Sequence, residues 1–418
     1  MLMKKRGILV VLLVFARLAI FAQFQISAEF RPRAEMRSGY KMLKADTLDA
    51  AWIVSQRTRL IADFKKSFYS FRVSIQDVRL WGDETIVSST GVFGDEASLD
   101  LNEAWMELKF LKYSSLKIGR QYFAYDDYRL LWHRNWNQHS LSYDALLYRF
   151  DHPFLTADLG FSWNNTMDLL YENFFPANRI KSLNFLHLSK SWNDHFRSNI
   201  LIMLTGYEKS DTSNIINFRN TFGAYLDYEK GILSLDGSLY RQNGKNTAGF
   251  DVDAWCISAN ARVDLGIVEA RIGGVVLSGN DAYAGGTDHL FDVFYGARHR
   301  YYGYMDYFSN IPKSTRKAGL EDYFAGLDVH LSQKLKMAVD YHYFRLANSI
   351  ILNGVKMKRD LASEIDLTCK WGLYSDISLQ AGYSIMLPEA TLEKLQGFDE
   401  GESSFSSWAW MMLSAKIR

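Results

Sequence analysis

Hydrophobic and polar positions take turns along residues 24–37. The even positions Phe24, Ile26, Ala28, Phe30, Pro32, Ala34 and Met36 would share one face of a strand, and the odd positions Gln25, Ser27, Glu29, Arg31, Arg33, Glu35 and Arg37 the other, because successive strand side chains point to opposite faces. Residues 54–64 repeat the split, with Val54, Thr58, Leu60, Ala62 and Phe64 against Ser55, Arg57, Arg59 and Asp63. A soluble sheet is also often apolar on one face only, so one hairpin decides nothing. Continuation decides, since a membrane strand needs about ten tilted residues and its sheet must close on itself.

The pattern continues to the end of the chain in about eighteen segments: 24–40, 51–64, 68–82, 98–111, 115–123, 141–150, 154–164, 181–193, 196–208, 215–229, 231–243, 251–264, 267–279, 320–333, 335–347, 359–373, 376–386 and 405–418. Tight turns, such as Lys65-Lys66-Ser67, Lys112-Tyr113-Ser114 and Asp264-Leu265-Gly266, alternate with longer excursions, among them 83–97, 124–140, 165–180, 280–319 and 387–404. Outer-membrane barrels have this form, with an even strand number, short periplasmic turns and longer outward loops. The expectation is an all-β fold, a transmembrane antiparallel β-barrel over 23–418 with both ends of the chain on the periplasmic side. Segment 68–82 slips phase near Gln76-Asp77, and a β-bulge there would keep Asp77 and Arg79 on the inner face. Segment 196–208 runs Ile200-Leu201-Ile202-Met203-Leu204 without alternation, so its facing stays open.

Composition supports this reading. Tyr (24), Phe (27) and Trp (11) are abundant, as aromatic girdles at two interfaces require, and five prolines leave long paired strands possible. Lys4, Lys5 and Arg6, the apolar run 7–21 broken by Arg17, and Phe21-Ala22-Gln23 read as a signal peptide over residues 1–22. Without its four basic residues the balance of 48 basic to 47 acidic becomes 44 to 47, so net charge predicts no partner and gives no reason to expect nucleic acid. Cys256 and Cys369 lack metal-site spacing, and strand parity puts both on the lipid side as free thiols. The expected partners are outer-membrane lipid, lipopolysaccharide and the barrel-assembly machinery.

Charges on the lipid face are expensive, so they belong inside. Arg31, Arg33, Arg37, Arg57, Arg59, Arg72 and Arg79 then crowd one sector of the wall with Glu29, Glu35 and Asp63, and Glu364 and Asp366 sit farther round. Two readings compete. The arginines pair with neighbouring carboxylates and stiffen the wall, or those left over form a ladder for anionic oligo- or polysaccharide or small anions. Loop 280–319, with Arg298, Arg300, Tyr301, Tyr304 and Asp306, folds inward as a constriction or caps the outside, and the aromatic loop 124–140 invites the same comparison. No nucleophile motif, HExxH or Gly-rich phosphate loop occurs, so neither an enzyme, a cofactor nor a metal is expected.

The runs Glu29-Phe30-Arg31-Pro32-Arg33 and Lys117-Ile118-Gly119-Arg120-Gln121, then Asp126, Asp127 and Arg129-Leu130-Leu131, loop residues Tyr295 to Phe308, and Glu364-Ile365-Asp366-Leu367 leading to Ala381-Gly382-Tyr383-Ser384 resemble the alginate export family of outer-membrane porins over essentially the whole mature chain. That resemblance implies a monomeric eighteen-stranded barrel with an electropositive lumen, which in the founding member passes a secreted anionic polyuronate. The ending Ala415-Lys416-Ile417-Arg418 departs from an aromatic terminus, although Trp408 and Trp410 lie near.

Overall fold

The computed structural model describes residues 23–82, 98–168, 170–171, 174–282 and 285–417. The expected signal peptide, residues 1–22, lies outside them. Eighteen antiparallel strands form the wall: β1 (Gln23–Ser38), β2 (Ala51–Lys65), β3 (Tyr69–Leu80), β4 (Ser98–Leu111), β5 (Ser114–Gln121), β6 (Tyr143–His152), β7 (Leu155–Trp163), β8 (Ser182–Ser191), β9 (Phe196–Ser210), β10 (Ser213–Lys230), β11 (Leu233–Lys245), β12 (Asp251–Asp264), β13 (Val268–Leu277), β14 (Leu320–His330), β15 (Leu335–Leu346), β16 (Asp360–Gly372), β17 (Ile377–Pro388) and β18 (Ser406–Ile417). Every strand pairs with its sequence neighbours, and β1 pairs with β18 from Ala28↔Ile417 to Ser38↔Ser407, so the cylinder closes. No helix among the described residues is long and apolar enough to cross a membrane. The expected strand number and alternation of turn and loop are both present.

Exposure follows parity. On β1, Phe24 (59% exposed) and Ile26 (56%) face outward, whereas Arg31, Arg33 and Glu35 are buried within. At the periplasmic rim the Lys190 ammonium lies 3.7 Å from the Phe154 ring centre and 3.9 Å from that of Trp192, so an aromatic girdle holds a snorkelling cation.

Two phase expectations are corrected. The β3–β4 register passes from Ser74↔Glu103 to Ile75↔Leu101, so the extra residue is Asn102 on β4 and β3 has no bulge. Strict alternation along β3 then turns Asp77 and Arg79 outward, beside Gln56 and Thr58 of β2, where Arg79 Nε donates to Asp77 Oδ2 at 2.7 Å. Arg79 therefore does not line the lumen. Cys256 is also corrected, because it is fully buried on the inner face while its neighbours Trp255 and Ile257 face out. It is a free thiol, as is half-buried Cys369.

The hydrophobic core lies inside the cylinder. Loop 278–319 contributes Phe291, Phe294, Tyr302, Met305, Tyr307, Phe308 and Ile311, with short helices α1 (Arg298–Tyr301) and α2 (Ile311–Ser314). Loop 122–142 adds Phe123, Leu130 and Leu131, and the wall answers with Leu201, Met203 and Cys256. Strand β9 therefore shows no alternation in sequence because both its faces are apolar: Ile200 and Ile202 meet lipid, while Leu201 and Met203 meet the loops.

Candidate functional site

Loop 122–142 crosses the bore from wall to wall. At its start the Asp126 carboxylate engages three strands: Nδ2 of Asn199 (β9) donates at 2.7 Å, the hydroxyl of Tyr240 (β11) donates at 2.9 Å, and Nε2 of His187 (β8) lies at 2.8 Å. At its end the main chain meets arginines on the opposite side. Arg31 of β1 donates to the carbonyls of Asn135 (2.7 Å), Trp136 (3.3 Å) and Asn137 (3.0 Å), and Arg33 donates to that of Trp136 at 3.1 Å. Arg57 of β2 reaches the Gln138 carbonyl at 3.2 Å, and Gln76 of β3 reaches that of His139 at 2.8 Å. Each hydrogen bond to a charged group contributes on the order of 1.5–3 kcal/mol, so the crossing is held firmly at both ends.

Loop 278–319 crosses it. Ala297 N donates to the Tyr128 carbonyl at 2.9 Å, and Arg134 donates to the carbonyls of Phe294 (2.9 Å), Tyr295 (3.1 Å) and Gly296 (3.1 Å). Of the two placements left open for this loop, the structure shows the inward one. Its far side reaches β16, where Met305 N donates to Glu364 Oε1 at 2.7 Å and Tyr304 N to Asp366 Oδ2 at 3.3 Å. Gly303 makes this approach possible, with φ of +77° and no room for a Cβ against the Glu364 carboxylate. Asp306 accepts from the Tyr40 hydroxyl at 2.5 Å and faces His299 Nδ1 at 3.0 Å. Burial opposes its ionisation, but His299, Tyr40 and Lys41 outweigh that and hold its carboxyl below the ordinary range.

Among the described residues, three cavities beside the crossing bear on the site. The largest, about 580 Å³, opens toward the short turns and is lined by Glu29, Arg31, Arg271, Lys336, Lys370 and Lys416 among others. A second, about 430 Å³, lies against β10–β15 with Asp227, Asp236, Arg262 and Tyr225. The third, about 270 Å³, lies between the loops and Lys41, with Arg134, Arg298 and Asp306. Trp132, Trp136, His299 and Arg300 line both the first and the third, and so frame an eyelet between them. Here Arg33 lies over the Trp136 ring at 4.6 Å, Trp136 stacks on His299 at 4.4 Å, and His299 stacks on Tyr304 at 4.9 Å.

The arginines near the eyelet are engaged largely by main-chain carbonyls. Among the described residues none of Arg31, Lys41, Arg134, Arg298 and Arg300 forms an ion pair; Arg298, for example, donates to the carbonyls of Phe294 and Ser309. Burial and neighbouring Arg298 bring Arg134 down to about 10, still protonated at neutral pH. A carbonyl satisfies a guanidinium's hydrogen bonds without cancelling its charge.

The predicted residues divide accordingly. Glu29, Arg31, Arg33, Glu35, Arg57, Arg59, Glu364 and Asp366 are all buried, and of these Glu29 and Arg31 line the large cavity. Arg57 donates to Glu29 at 2.7 Å, Arg37 pairs with Glu35 at 2.9 Å, and Arg72 pairs with Asp63 at 2.7 Å. Tyr301 donates its hydroxyl to the Asp127 carbonyl, and Arg79 lies outside the site. Sequence reading missed Lys41, Arg134, Arg271 and Lys416. Only Arg271 and Lys416 lie on strands, where a parity count extended to β13 and β18 would have placed them inside.

The sequence profile described as alginate export matches residues 22–403. No curated protein matches the chain in sequence. Among solved structures it is similar to OccAB4 of Acinetobacter baumannii (TM-score 0.63, 13% identity, covering 94% of this chain and 97% of that one). It is also similar to OccK3 (OpdO) of Pseudomonas aeruginosa (0.62, 13%, 94% and 96%) and to OpdL of the same organism (0.62, 14%, 94% and 99%). At such identities the likeness shows the fold. Profile and closed barrel together place the chain in the outer membrane as a channel: it belongs to the alginate export family.

Proposed function

We propose that the chain conducts anionic solutes passively through the eyelet between loops 122–142 and 278–319. One observation carries this reading: among the described residues, Lys41, Arg134, Arg298 and Arg300 surround the 270 Å³ cavity and form no ion pair, against a single carboxylate, Asp306, engaged by Tyr40 and His299. Charged rings in a narrow, low-dielectric passage select by sign. The chain's own loops build the eyelet, which fits a channel working as a monomer. Its apolar outer wall suits lipid and lipopolysaccharide, and insertion calls for the barrel-assembly machinery. The arrangement calls for neither a cofactor nor catalysis.

The test is the reversal potential of the purified protein in a planar bilayer under a potassium chloride gradient. Anion preference that weakens in a Lys41→Ala, Arg298→Ala double variant supports the reading. Cation preference in the unaltered protein would end it, and a bilayer that never conducts would mean the crossed loops plug the bore.

A further inference from the structure

From the crossing geometry we infer that the permeant solute is a single compact anion, such as one sugar-acid unit, and not a polymer, and that Arg300 passes it from one cavity to the next. This rests on the anion reading above and narrows it. A polymer would need a continuous bore, yet loop 122–142 is tied to β8, β9 and β11 at one end and to β1–β3 at the other. Loop 278–319 is tied to β16 and to Lys41 N beyond the end of β1. Threading a chain would require several charge-assisted bonds to break together. The 270 Å³ cavity also falls just below the range of about 300–1,000 Å³ typical of small-molecule sites.

Arg300 is singled out by position. Among the described residues it is the one charged residue that lines all three of these cavities. It is exposed and, among the described residues, makes neither an ion pair nor a side-chain hydrogen bond, and its guanidinium stands 5.4 Å from the ring centres of both Tyr128 and Tyr301. Its neighbours Arg134 and Arg298 are held by carbonyls and cannot follow a solute. Beyond it, Lys370 and Lys416 line the 580 Å³ cavity, also without ion pairs among the described residues, and so continue the route toward the short turns. A carboxylate leaving Lys41 and Arg298 meets the planar fork of Arg300 next.

The experiment compares chloride, glucuronate and a long polyuronate as the anion on one side of a bilayer holding the full-length protein, read by reversal potential. Expected is measurable permeability for glucuronate, none for the polyuronate, and a drop of about tenfold or more in glucuronate relative to chloride in Arg300→Gln, the worth of one lost charge-assisted bond. Arg300→Lys, which keeps the charge but loses the fork, should fall between. Permeation by the polyuronate would overturn the size limit, and an unchanged glucuronate-to-chloride ratio in Arg300→Gln would overturn the role of that residue. Either result leaves anion preference in potassium chloride intact, whereas failure of the parent reading appears as cation preference in that salt alone.

Discussion

Asp126 and Arg31 hold opposite ends of one loop to opposite walls of the barrel, the first through β8, β9 and β11 and the second through the carbonyls of residues 135–137. The strut between them carries Trp132, Arg134 and Trp136 into the lumen, so the geometry of the eyelet depends on both anchors. Asp126→Ala removes a carboxylate held below its ordinary range, where burial is outweighed by His187, Asn199 and Tyr240. Single-channel recording should show higher and noisier conductance with weaker anion preference, and Asp126→Glu should restore part of it. Unaltered conductance in the alanine variant would mean that the arginine end suffices alone.

Gly303 combines a left-handed backbone with contact against Glu364. Gly303→Ala should cost more than about 1 kcal/mol locally and release the loop from β16. Limited proteolysis should then cut between residues 294 and 314 faster than in the unaltered protein, while the barrel's heat resistance on gels stays the same.

Outward placement of Asp77 and Arg79 separates two kinds of arginine. Replacing both, as Asp77→Asn with Arg79→Gln, should leave the reversal potential where it was, because neither side chain faces the bore. By contrast, Leu60→Arg, on the lipid face of β2, should lower stability by about 2–4 kcal/mol if it lies near the bilayer midplane. Urea unfolding in liposomes reads the Leu60→Arg loss, and the salt-gradient reversal potential reads the Asp77→Asn, Arg79→Gln variant.

His133 stacks on Tyr122 and packs at a tilt against Trp132, and burial together with Arg59 and Arg57 pushes it down to about 4. Below an unfolded value near 6.5 the unfolded chain takes up a proton that the folded loop refuses, so stability falls as pH drops from about 6.5 to about 4 and then levels. His133→Gln should flatten that part of the curve in detergent melts at graded pH. An identical slope in the variant would place the acid sensitivity elsewhere.

Cys256 faces the packed interior, so a maleimide should fail to label it until the protein is unfolded. Rapid labelling of the native protein, in a Cys369→Ser background, would contradict its inward orientation.

Strand number and most facings were legible because each side of the wall meets a different medium, and a period of two records that directly. The record fails where one side meets protein. Cys256 looks like a lipid contact in sequence, and the facing of Leu201 and Met203 stays open there, because the loops that cover them are also apolar. It also fails where a neighbour takes up the irregularity, as Asn102 of β4 does for β3, since pairing is a property of two strands and parity of one. The eyelet was half legible: residues within 280–319 were suspected, but the ties of Arg31 and Arg134 to main-chain carbonyls leave no trace in the identities of the residues they hold.

The seam between β1 and β18 has a consequence for how the protein is made. Its two edges are separated by almost the whole length of the chain, so this contact is the most distant in sequence and the last that insertion can complete. Until then each nascent molecule carries two bare strand edges, and any neighbour can satisfy them as readily as the correct partner can. A substitution at Ser407 or Met412 would therefore register first as lost yield, before any change in what the finished molecule lets through.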